Sequence, residues 1–366
     1  MKYGLLISGL LAAAANAAYA ADSGVTLYGV VDAGIASTHE SGPDGAKRSV
    51  MGIVSGGLTD SLLGVKGQET LSEDLSATFQ LESLFDVATG NLSDKDNFFS
   101  HSAWVGLNSQ HLGELRLGRQ HTVAQRFGSQ LEIASWKDMG MGATFKASDN
   151  YRVSNAVNYI SPSLAGFSFG IGYSFDLTGT QVNSSKSPMV STGLQYSQGP
   201  LLLVATWDKT YISDAVLSGG KKPEAWQFGA SYDFQVAKLT VGWSRMKNGY
   251  AGLDGGDPSG VGLGLGAAEF INGGQEDAYL LGLAVPVGAH GTILAQWSYA
   301  KPGWHWQDGA KPRAGQVGTL GYVHSLSPRT SIYAMVGLAT RYSLEDQLVR
   351  GQGTTTRYMA GMSHKF

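Results

Sequence analysis

Residues 24–35 read Gly-Val-Thr-Leu-Tyr-Gly-Val-Val-Asp-Ala-Gly-Ile. Apolar or small residues occupy every second position from Val25 to Ile35, and the positions between them include Tyr28 and Asp32. Side chains of a β-strand alternate between the two faces of a sheet, so the pattern predicts a strand with one apolar and one polar face. The fold class depends on how often this pattern returns.

The alternation returns along the whole chain, about sixteen times in all. The further predicted strands are 63–68, 75–82, 103–107, 113–119, 152–160, 167–175, 190–197, 201–207, 226–234, 238–245, 278–285, 292–299, 317–326, 330–339 and 356–366. Short connections such as 71–74 and 110–113 alternate with long polar ones such as 85–100 and 246–275. Tyr, Trp and Phe recur at strand ends, where the interfacial girdles of membrane barrels require them.

These observations predict an all-β fold: a transmembrane antiparallel β-barrel of about 16 strands, with short periplasmic turns and long external loops. In hydrocarbon every backbone N–H and C=O must be paired within the protein, which strands achieve only when the sheet closes. The last strand should therefore pair with the first. It carries Tyr358, Met362 and Phe366 on one face, and we expect these residues to belong to the barrel closure.

Composition limits the class of protein further. The chain has 366 residues, a formal net charge of −3 and no cysteine, so disulfides and thiolate metal sites are excluded. The Gly-x-Ser-x-Gly spacing occurs at residues 166–170, but inside a predicted strand and not at a strand-to-helix turn, and no pair of histidines lies at i and i+4, so we predict no catalytic residue, metal site or cofactor. The basic pairs Lys47-Arg48 and Lys221-Lys222 are too sparse to predict nucleic-acid binding.

The first twenty residues have the features of a secretory signal peptide. Lys2 supplies the basic start, residues 5–11 form an apolar run, and Ala18-Tyr19-Ala20 is a small-x-small cleavage site. A membrane anchor is the alternative, but the run is short and no basic stop follows. We therefore predict residues 1–20 as a cleaved signal peptide and residues 21–366 as one barrel domain.

Residues 120–150 break the alternation. This long connection mixes charged side chains with aromatic ones, including Arg126, Phe127 and Trp136. Loops of this length are uncommon in compact domains and usually have a function. The residues alone leave open whether the loop is a lid, a plug or disordered.

Several short stretches, in their order and spacing, resemble the trimeric general porins of Gram-negative outer membranes, most closely the β-proteobacterial group. The matching stretches are GVTLYGVVDAG (24–34), LGVKG (63–67), FQLES (79–83), AWVGL (103–107), LGRQ (117–120), NYISP (158–162), LSPRT (326–330) and SHKF (363–366). The resemblance implies that the third external loop, residues 120–150, folds into the lumen and narrows it. It also implies a homotrimer in the outer membrane, in contact with lipid and lipopolysaccharide, whose terminal strand the outer-membrane assembly machinery recognises.

Selectivity in such a channel follows from charges that face each other across the constriction. Strand parity predicts that Lys66 and Arg116 point inward. The resemblance places Arg48 on a basic wall, and Arg119 and Arg152 lie at the two ends of the loop. Glu132 and Asp138 are loop acids that could face this wall, although any of these charges could instead be a solvated residue. The predicted pore-constriction residues are Arg48, Lys66, Arg116, Arg119, Glu132, Asp138 and Arg152.

Two positions depart from the pattern of related porins, which commonly carry arginine there: this chain has Leu62 and His101. Both changes reduce the basic side, so the sign of ion preference stays open. A histidine can titrate near neutral pH and modulate conductance. A lone histidine at the start of a strand is, however, more often an interface residue, and this is the interpretation that we favour for His101.

The predicted function is passive diffusion of ions and small hydrophilic solutes through a water-filled outer-membrane channel. A solute-specific porin is the first alternative, with Phe127, Trp136 or Tyr151 as a binding surface in the constriction. A barrel that serves mainly as an adhesin or receptor through its external loops, above all 246–275, is the second.

Overall fold

The computed structural model describes residues 24–41, 47–134, 152–176, 187–211, 222–248, 274–303, 314–340 and 354–366. The predicted signal peptide (1–20) lies outside the described residues, as do 135–150 of the predicted constriction loop and most of the loop at 246–275. None of the helices in the described ranges has the length and apolar character needed to cross a membrane.

Nearly all of the described chain is β-strand. The strands are β1 Gly24–Ser41, β2 Lys47–Ser55, β3 Leu62–Thr70, β4 Leu75–Leu84, β5 Ser102–Ser109, β6 Gly113–His121, β7 Arg152–Ile160, β8 Phe167–Ser174, β9 Met189–Gln198, β10 Leu201–Thr210, β11 Glu224–Asp233, β12 Lys238–Lys247, β13 Gln275–Val287, β14 Gly291–Pro302, β15 Gly315–Ser325, β16 Thr330–Thr340 and β17 Thr354–Lys365. One helix, α1 Val123–Gly128, and a 3₁₀ helix, Ser129–Leu131, follow β6. They lie within the stretch that the sequence predicts to be a loop.

The strands form one closed antiparallel sheet, as predicted. Consecutive strands from β3 to β17 pair with each other, and β17 returns to pair with β1 from Val30↔Lys365 to Ser41↔Thr354. The seventeen strands of the described chain amount to sixteen crossings of the barrel wall. β2 pairs with residues 33–41 of β1, and β3 pairs with residues 24–30 of β1, so β2 and β3 are two parts of one crossing.

The first hairpin is longer than the alternation indicates. The sequence predicts a loop from His39 to Lys47, but β1 extends to Ser41 and pairs with Lys47 at the start of β2. Polar residues there obscure the alternation, while the backbone ladder continues regardless of side-chain type. The second crossing therefore starts at residue 47, and not at Leu63 as the alternation predicts.

The predicted faces of the strands are confirmed. Val25, Leu27 and Ile35 are 71%, 62% and 57% exposed on the outside, whereas Asp32 of the same strand is fully buried inside. Aromatic side chains cluster on the outer surface, where the rings of Trp226 and Phe228 stack, as do those of Phe228 and Trp243 and those of Trp297 and Tyr299. An apolar exterior over a polar interior is the arrangement that a lipid-embedded barrel requires.

Candidate pore constriction

The segment after β6 is fixed to the barrel wall where it begins. Asn158 Nδ2 of β7 donates a hydrogen bond to the backbone oxygen of His121 at 2.8 Å. Thr122 caps α1 through its hydroxyl, which accepts a backbone N–H of the first turn at 3.1 Å. Ser191 Oγ of β9 accepts the N–H of Ala124 at 2.9 Å. These bonds direct α1 across the inner face of the wall instead of outward.

The apolar residues of α1 and the 3₁₀ helix pack against wall positions that have no side chain. Val123, Phe127 and Leu131 are all at most 5% exposed. The wall residues opposite them are, respectively, Gly170 of β8, Gly193 of β9 and Gly229 of β11. At Gly193 a Cβ atom would lie 2.5 Å from the Phe127 ring, closer than carbon atoms approach one another. Glycine at these positions therefore lets the segment lie directly on the backbone of the sheet.

The described segment ends against β14. Gln296 Oε1 accepts the backbone N–H groups of Ile133 and Ala134 at 3.1 and 3.2 Å, and Gln296 Nε2 donates to the oxygen of Ala134 at 3.3 Å. Gln296 is 6% exposed, so these bonds are shielded from water. Residues 122–134 thus cross the lumen side from β6 to β14, which is the inward course expected of the third loop.

One carboxylate joins the loop to the basic side of the wall. Glu114 of β6 accepts from Arg116 Nε at 2.6 Å and from Arg126 Nη2 of α1 at 2.8 Å. The Arg116 guanidinium also lies 3.9 Å from the centre of the Trp104 ring. All three charged side chains are 19–24% exposed, which leaves them in contact with the water of the lumen. Bidentate and stacked arginines of this kind hold a fixed orientation.

A second carboxylate, Glu82 of β4, lies next along this wall. Its Oε1 accepts the Tyr28 hydroxyl and Gln80 Nε2, both at 2.6 Å, and Gln80 Nε2 also donates to the Tyr28 oxygen at 2.7 Å. Its Oε2 lies 2.6 Å from His101 Nδ1. Glu82 is 5% exposed, so this set of hydrogen bonds compensates for the lost hydration of a buried charge.

His101 connects Glu82 to Arg152, which follows the loop at the start of β7. Arg152 donates to His101 Nε2, and because a guanidinium can only donate, the His101 proton lies on Nδ1 and is donated to Glu82. The His101 and His121 ring centres are 5.6 Å apart. Arg119 donates from Nε to the Ser100 oxygen at 2.7 Å. His101 is therefore part of the lumen cluster, and its interpretation as an interface residue is wrong.

The structure brings three of the predicted constriction residues together, namely Arg116, Arg119 and Arg152, which lie on β6 and at the start of β7. Lys66 adjoins this cluster: it pairs with Gln80, two residues from Glu82, and its Nζ lies 4.9 Å from the centre of the Tyr28 ring, whose hydroxyl donates to Glu82. The structure separates Arg48 from the cluster. Arg48 pairs with Glu40, twelve residues from Tyr28 along β1, which corresponds to about 40 Å along the strand.

The two predicted acids differ in what the structure describes. Glu132 lies on the loop between Leu131, which contacts Gly229, and Ile133, which contacts Gly282, so it is placed on the side of β11 to β13. Asp138 lies outside the described residues.

The predicted closure residues lie at the seam of the barrel. Tyr358 and Met362 of β17 are both 53% exposed on the outside. Phe366 exchanges two backbone hydrogen bonds with Gly29, each of 3.1 Å.

Sequence patterns did not assign several members of the cluster to the constriction. Arg126 lies on α1, outside any strand, so no parity rule could place it beside Glu114. His101 and His121 recur at a ten-residue interval, but the sequence does not show that β5 and β6 bring their rings together. One sequence-based alternative also loses a residue: Phe127 is 5% exposed against the wall, so it cannot contribute an open binding surface for a solute.

Known proteins resemble this chain over its length. A family model described as Gram-negative porin matches residues 8–342. An outer membrane porin protein of Bordetella pertussis is 31% identical over 399 residues, covering 100% of both chains. Outer membrane porin protein 32 of Delftia acidovorans is 31% identical over 342 residues, 91% of this chain and 88% of that protein. The anion-selective porin from Comamonas acidovorans shares the fold, with a TM-score of 0.73 at 24% identity, over 94% of this chain and 100% of that one.

The closed barrel, the third loop that crosses the lumen side after β6 and the charged wall beside it agree with these matches. The family match extends over most of the chain, and the Bordetella relative covers all of it. The chain belongs to the Gram-negative porin family: it is an outer-membrane channel, not an enzyme, through which ions and small hydrophilic solutes diffuse passively.

Proposed function

We propose that residues 120–150 form the constriction of this porin and that the constriction passes anions more readily than cations. The observation that carries the proposal is the charge of the cluster beside α1. Four guanidinium groups, those of Arg116, Arg119, Arg126 and Arg152, lie in one patch, to which the described residues contribute three carboxylates: Glu82, Glu114 and Asp94, whose charge interacts with that of Arg119. The described part of the patch therefore has a formal charge of +1, four minus three.

The surroundings of this patch support an effect on permeating ions. Lys66 is exposed on the same wall toward the short-turn end, and Arg48 is exposed toward the long-loop end, so cationic groups precede and follow the cluster along the pore. The predicted acids Glu132 and Asp138 would form the opposite side. Charges of this kind act over about 8 Å at physiological salt, comparable to the dimensions of a narrowed pore. The Comamonas structure of the same fold, described as anion-selective, supports the same sign.

The test is a reversal potential in planar bilayers with unequal KCl on the two sides. We expect chloride to be favoured over potassium on the order of threefold, a ratio that decreases at high salt. Arg126→Gln should lower the ratio, and Arg329→Gln, the same change of charge in the exposed turn between β15 and β16, should not. A preference for potassium in the unmodified channel contradicts the proposal.

The homotrimer belongs to the same proposal. Within the described residues β2 pairs with β1 on one edge only, and its outer part is exposed on both faces, with Val50, Met51 and Ile53 exposed by 51%, 74% and 63%. An unpaired strand edge with apolar side chains is a surface that proteins usually cover. In the predicted trimer, a second copy of the chain covers this edge of β2. Conductance steps in groups of three, and an SDS-resistant band of three times the monomer mass, are the expected results.

The remaining elements of the proposal follow from family and sequence. Residues 1–20 are removed on export, and residues 21–366 form the barrel domain. The short turns face the periplasm, and the outer surface contacts lipid and, in the outer leaflet, lipopolysaccharide. The seam strand that ends in Phe366 is the part of the chain that the assembly machinery recognises.

A further inference from the structure

A second segment enters the lumen, on the side that α1 leaves open. Residues 56–61, Gly-Gly-Leu-Thr-Asp-Ser, separate β2, which ends at Ser55, from β3. On β1, Ala33 pairs with Ser55 and Val30 pairs with Leu62. Six residues of the second crossing therefore stand opposite only two of β1, and they must leave the plane of the sheet. We call residues 56–61 the inward segment.

Its direction is set by a buried carboxylate. Asp32 Oδ1 accepts the N–H of Gly57 at 2.8 Å and that of Leu58 at 3.4 Å, and Oδ2 accepts the N–H of Thr59 at 3.3 Å. The Tyr333 hydroxyl donates to Asp32 Oδ1 at 2.7 Å. Asp32 and Tyr333 are lumen-facing residues of β1 and β16, exposed by 0% and 4%. The segment therefore lies over the inner face of the wall.

Packing against the neighbouring strands agrees with this position. Leu58 packs against the buried apolar cluster that includes Met335 and Met359 of β16 and β17. The absence of a side chain at Gly57 is required, because a Cβ atom there would collide with Met359 and with the Tyr333 hydroxyl. The segment is thus a fitted part of the interior.

The single acidic residue of the inward segment, Asp60, faces water. Asp60 is exposed, although the residues on either side of it in the segment are buried or half-buried. Because the inward segment lies inside the barrel, the water that Asp60 contacts is that of the lumen. Ser61, which follows, accepts the N–H of Phe85 through its backbone oxygen at 3.1 Å.

Asp60 lies close to the charged cluster described above. β3 begins two residues after it, and Gly64 pairs with Glu82, whose carboxylate contacts His101. Four residues of strand span at most about 13 Å, so Asp60 lies within that distance of the Glu82 row. A carboxylate there adds negative potential to the lumen from the wall that the third loop does not cover.

We infer that the inward segment is a second constricting element and that Asp60 is a selectivity-determining residue that lowers the passage of anions. This inference requires an open channel but not the anion preference proposed above: whichever ion the unmodified protein favours, removing the Asp60 charge shifts the ratio toward anions.

The experiment compares reversal potentials under a KCl gradient for the full-length protein and its variants. Asp60→Asn should raise the chloride-to-potassium permeability ratio about twofold, and Asp60→Lys should raise it further, about fourfold. Asp60→Glu should keep the original ratio. Glu73→Gln is the matched control, since it removes one exposed carboxylate from the short turn between β3 and β4, outside the lumen, and should leave the ratio unchanged.

Because the chain has no cysteine, Asp60→Cys provides a test that does not depend on comparing separately folded variants. In a single recorded channel, a sulfonate-bearing thiol reagent should restore the original ratio, and a trimethylammonium-bearing reagent should shift it further toward chloride. Equal ratios for the Asn, Lys and unmodified proteins, or a cysteine channel that neither reagent affects, would overturn the inference. A cation-favouring unmodified channel whose ratio still shifts toward anions in Asp60→Asn would refute only the earlier proposal.

Discussion

The two sides of the lumen share the same strand alternation but differ in the residues at their lumen-facing positions. On the side covered by α1 and the residues after it, lumen-facing positions such as Gly170, Gly193 and Gly229 carry no side chain. On the open side, lumen-facing positions carry Glu82 and Arg116, each held by several hydrogen bonds. The difference shows how the surroundings of a lumen-facing position determine its residue. A position that contacts the third loop carries glycine, because the loop needs the space, whereas a position that contacts water can carry a charged side chain.

The open side is also where the wall itself departs from a regular sheet. The inward segment is held by Asp32, whereas the third loop is held mainly by apolar contacts and by Gln296. The two elements that enter the lumen should therefore respond differently to mutation. Loss of the buried Asp32 carboxylate removes several hydrogen bonds at once. A side chain added at a wall glycine displaces the third loop from the wall, and the barrel itself can remain folded.

The largest effect is expected for Asp32→Ala. It leaves the N–H groups of Gly57 and Thr59 and the Tyr333 hydroxyl without their acceptor in a buried site. Each buried polar group without a partner costs about 1–3 kcal/mol, so the free energy of unfolding should fall by on the order of 3–5 kcal/mol. Urea unfolding in detergent, followed by the heat-modifiable shift on SDS gels, measures this loss.

Asp32→Asn is the matched control, because it keeps one acceptor oxygen and should lose clearly less stability than the alanine variant. An alanine variant as resistant to urea as the unmodified protein would show that Asp32 does not hold the inward segment.

The second effect concerns the covered side. Gly229→Val places carbon atoms where Leu131 lies, since even a Cβ atom would approach its Cδ2 and Cγ to 2.9 and 3.1 Å. Overpacking of this kind costs about 1–3 kcal/mol, and displacement of the loop from the wall is the simplest relief. Single-channel conductance should change with little loss of barrel stability.

Gly318→Val is the corresponding control, because no atom lies within 4 Å of a Cβ built at Gly318. A Gly229→Val channel with the conductance of the unmodified protein would contradict the contact between the loop and β11.

The smallest effect tests the link between the two sides. Glu114→Gln removes the charge that Arg116 of the wall and Arg126 of the loop share. The net charge of the cluster rises by one, so the chloride-to-potassium ratio should increase about twofold, with a modest loss of stability at this partly exposed site. Reversal potentials measure the ratio; a decrease would show that Glu114 acts mainly by positioning the two arginines.

The sequence predicts the wall well because strand alternation is a local property. Alternation predicted the outward positions of Val25 and Ile35 and the closure by β17, and the family resemblance predicted the inward course of the third loop. Alternation predicts which face a residue lies on but not its height along the pore, so Arg48 was grouped with Arg116 although the register separates them.

Features that interrupt the alternation could not be predicted in this way. The inward segment contains two consecutive glycines and no period, and its course depends on Asp32 and Tyr333, which are 301 residues apart. The ladder between β6 and β7 also shifts between Gly118 and Gln120, so parity is lost beside Arg119 and Arg152. Non-local contacts and register shifts decide the geometry of the constriction, and single-sequence patterns contain neither.

The seam between Gly29 and Phe366 has a consequence for how the barrel is made. The two residues are 337 positions apart, 366 minus 29, and their backbone bonds form only when both strands are present. Contacts of such separation form slowly, since the entropy of closing the loop must be overcome first. Until then the free edges of β1 and β16 remain able to pair with any other strand. Closure of this barrel therefore competes kinetically with aggregation, and the pairing of β17 with β1 is the step that ends the competition.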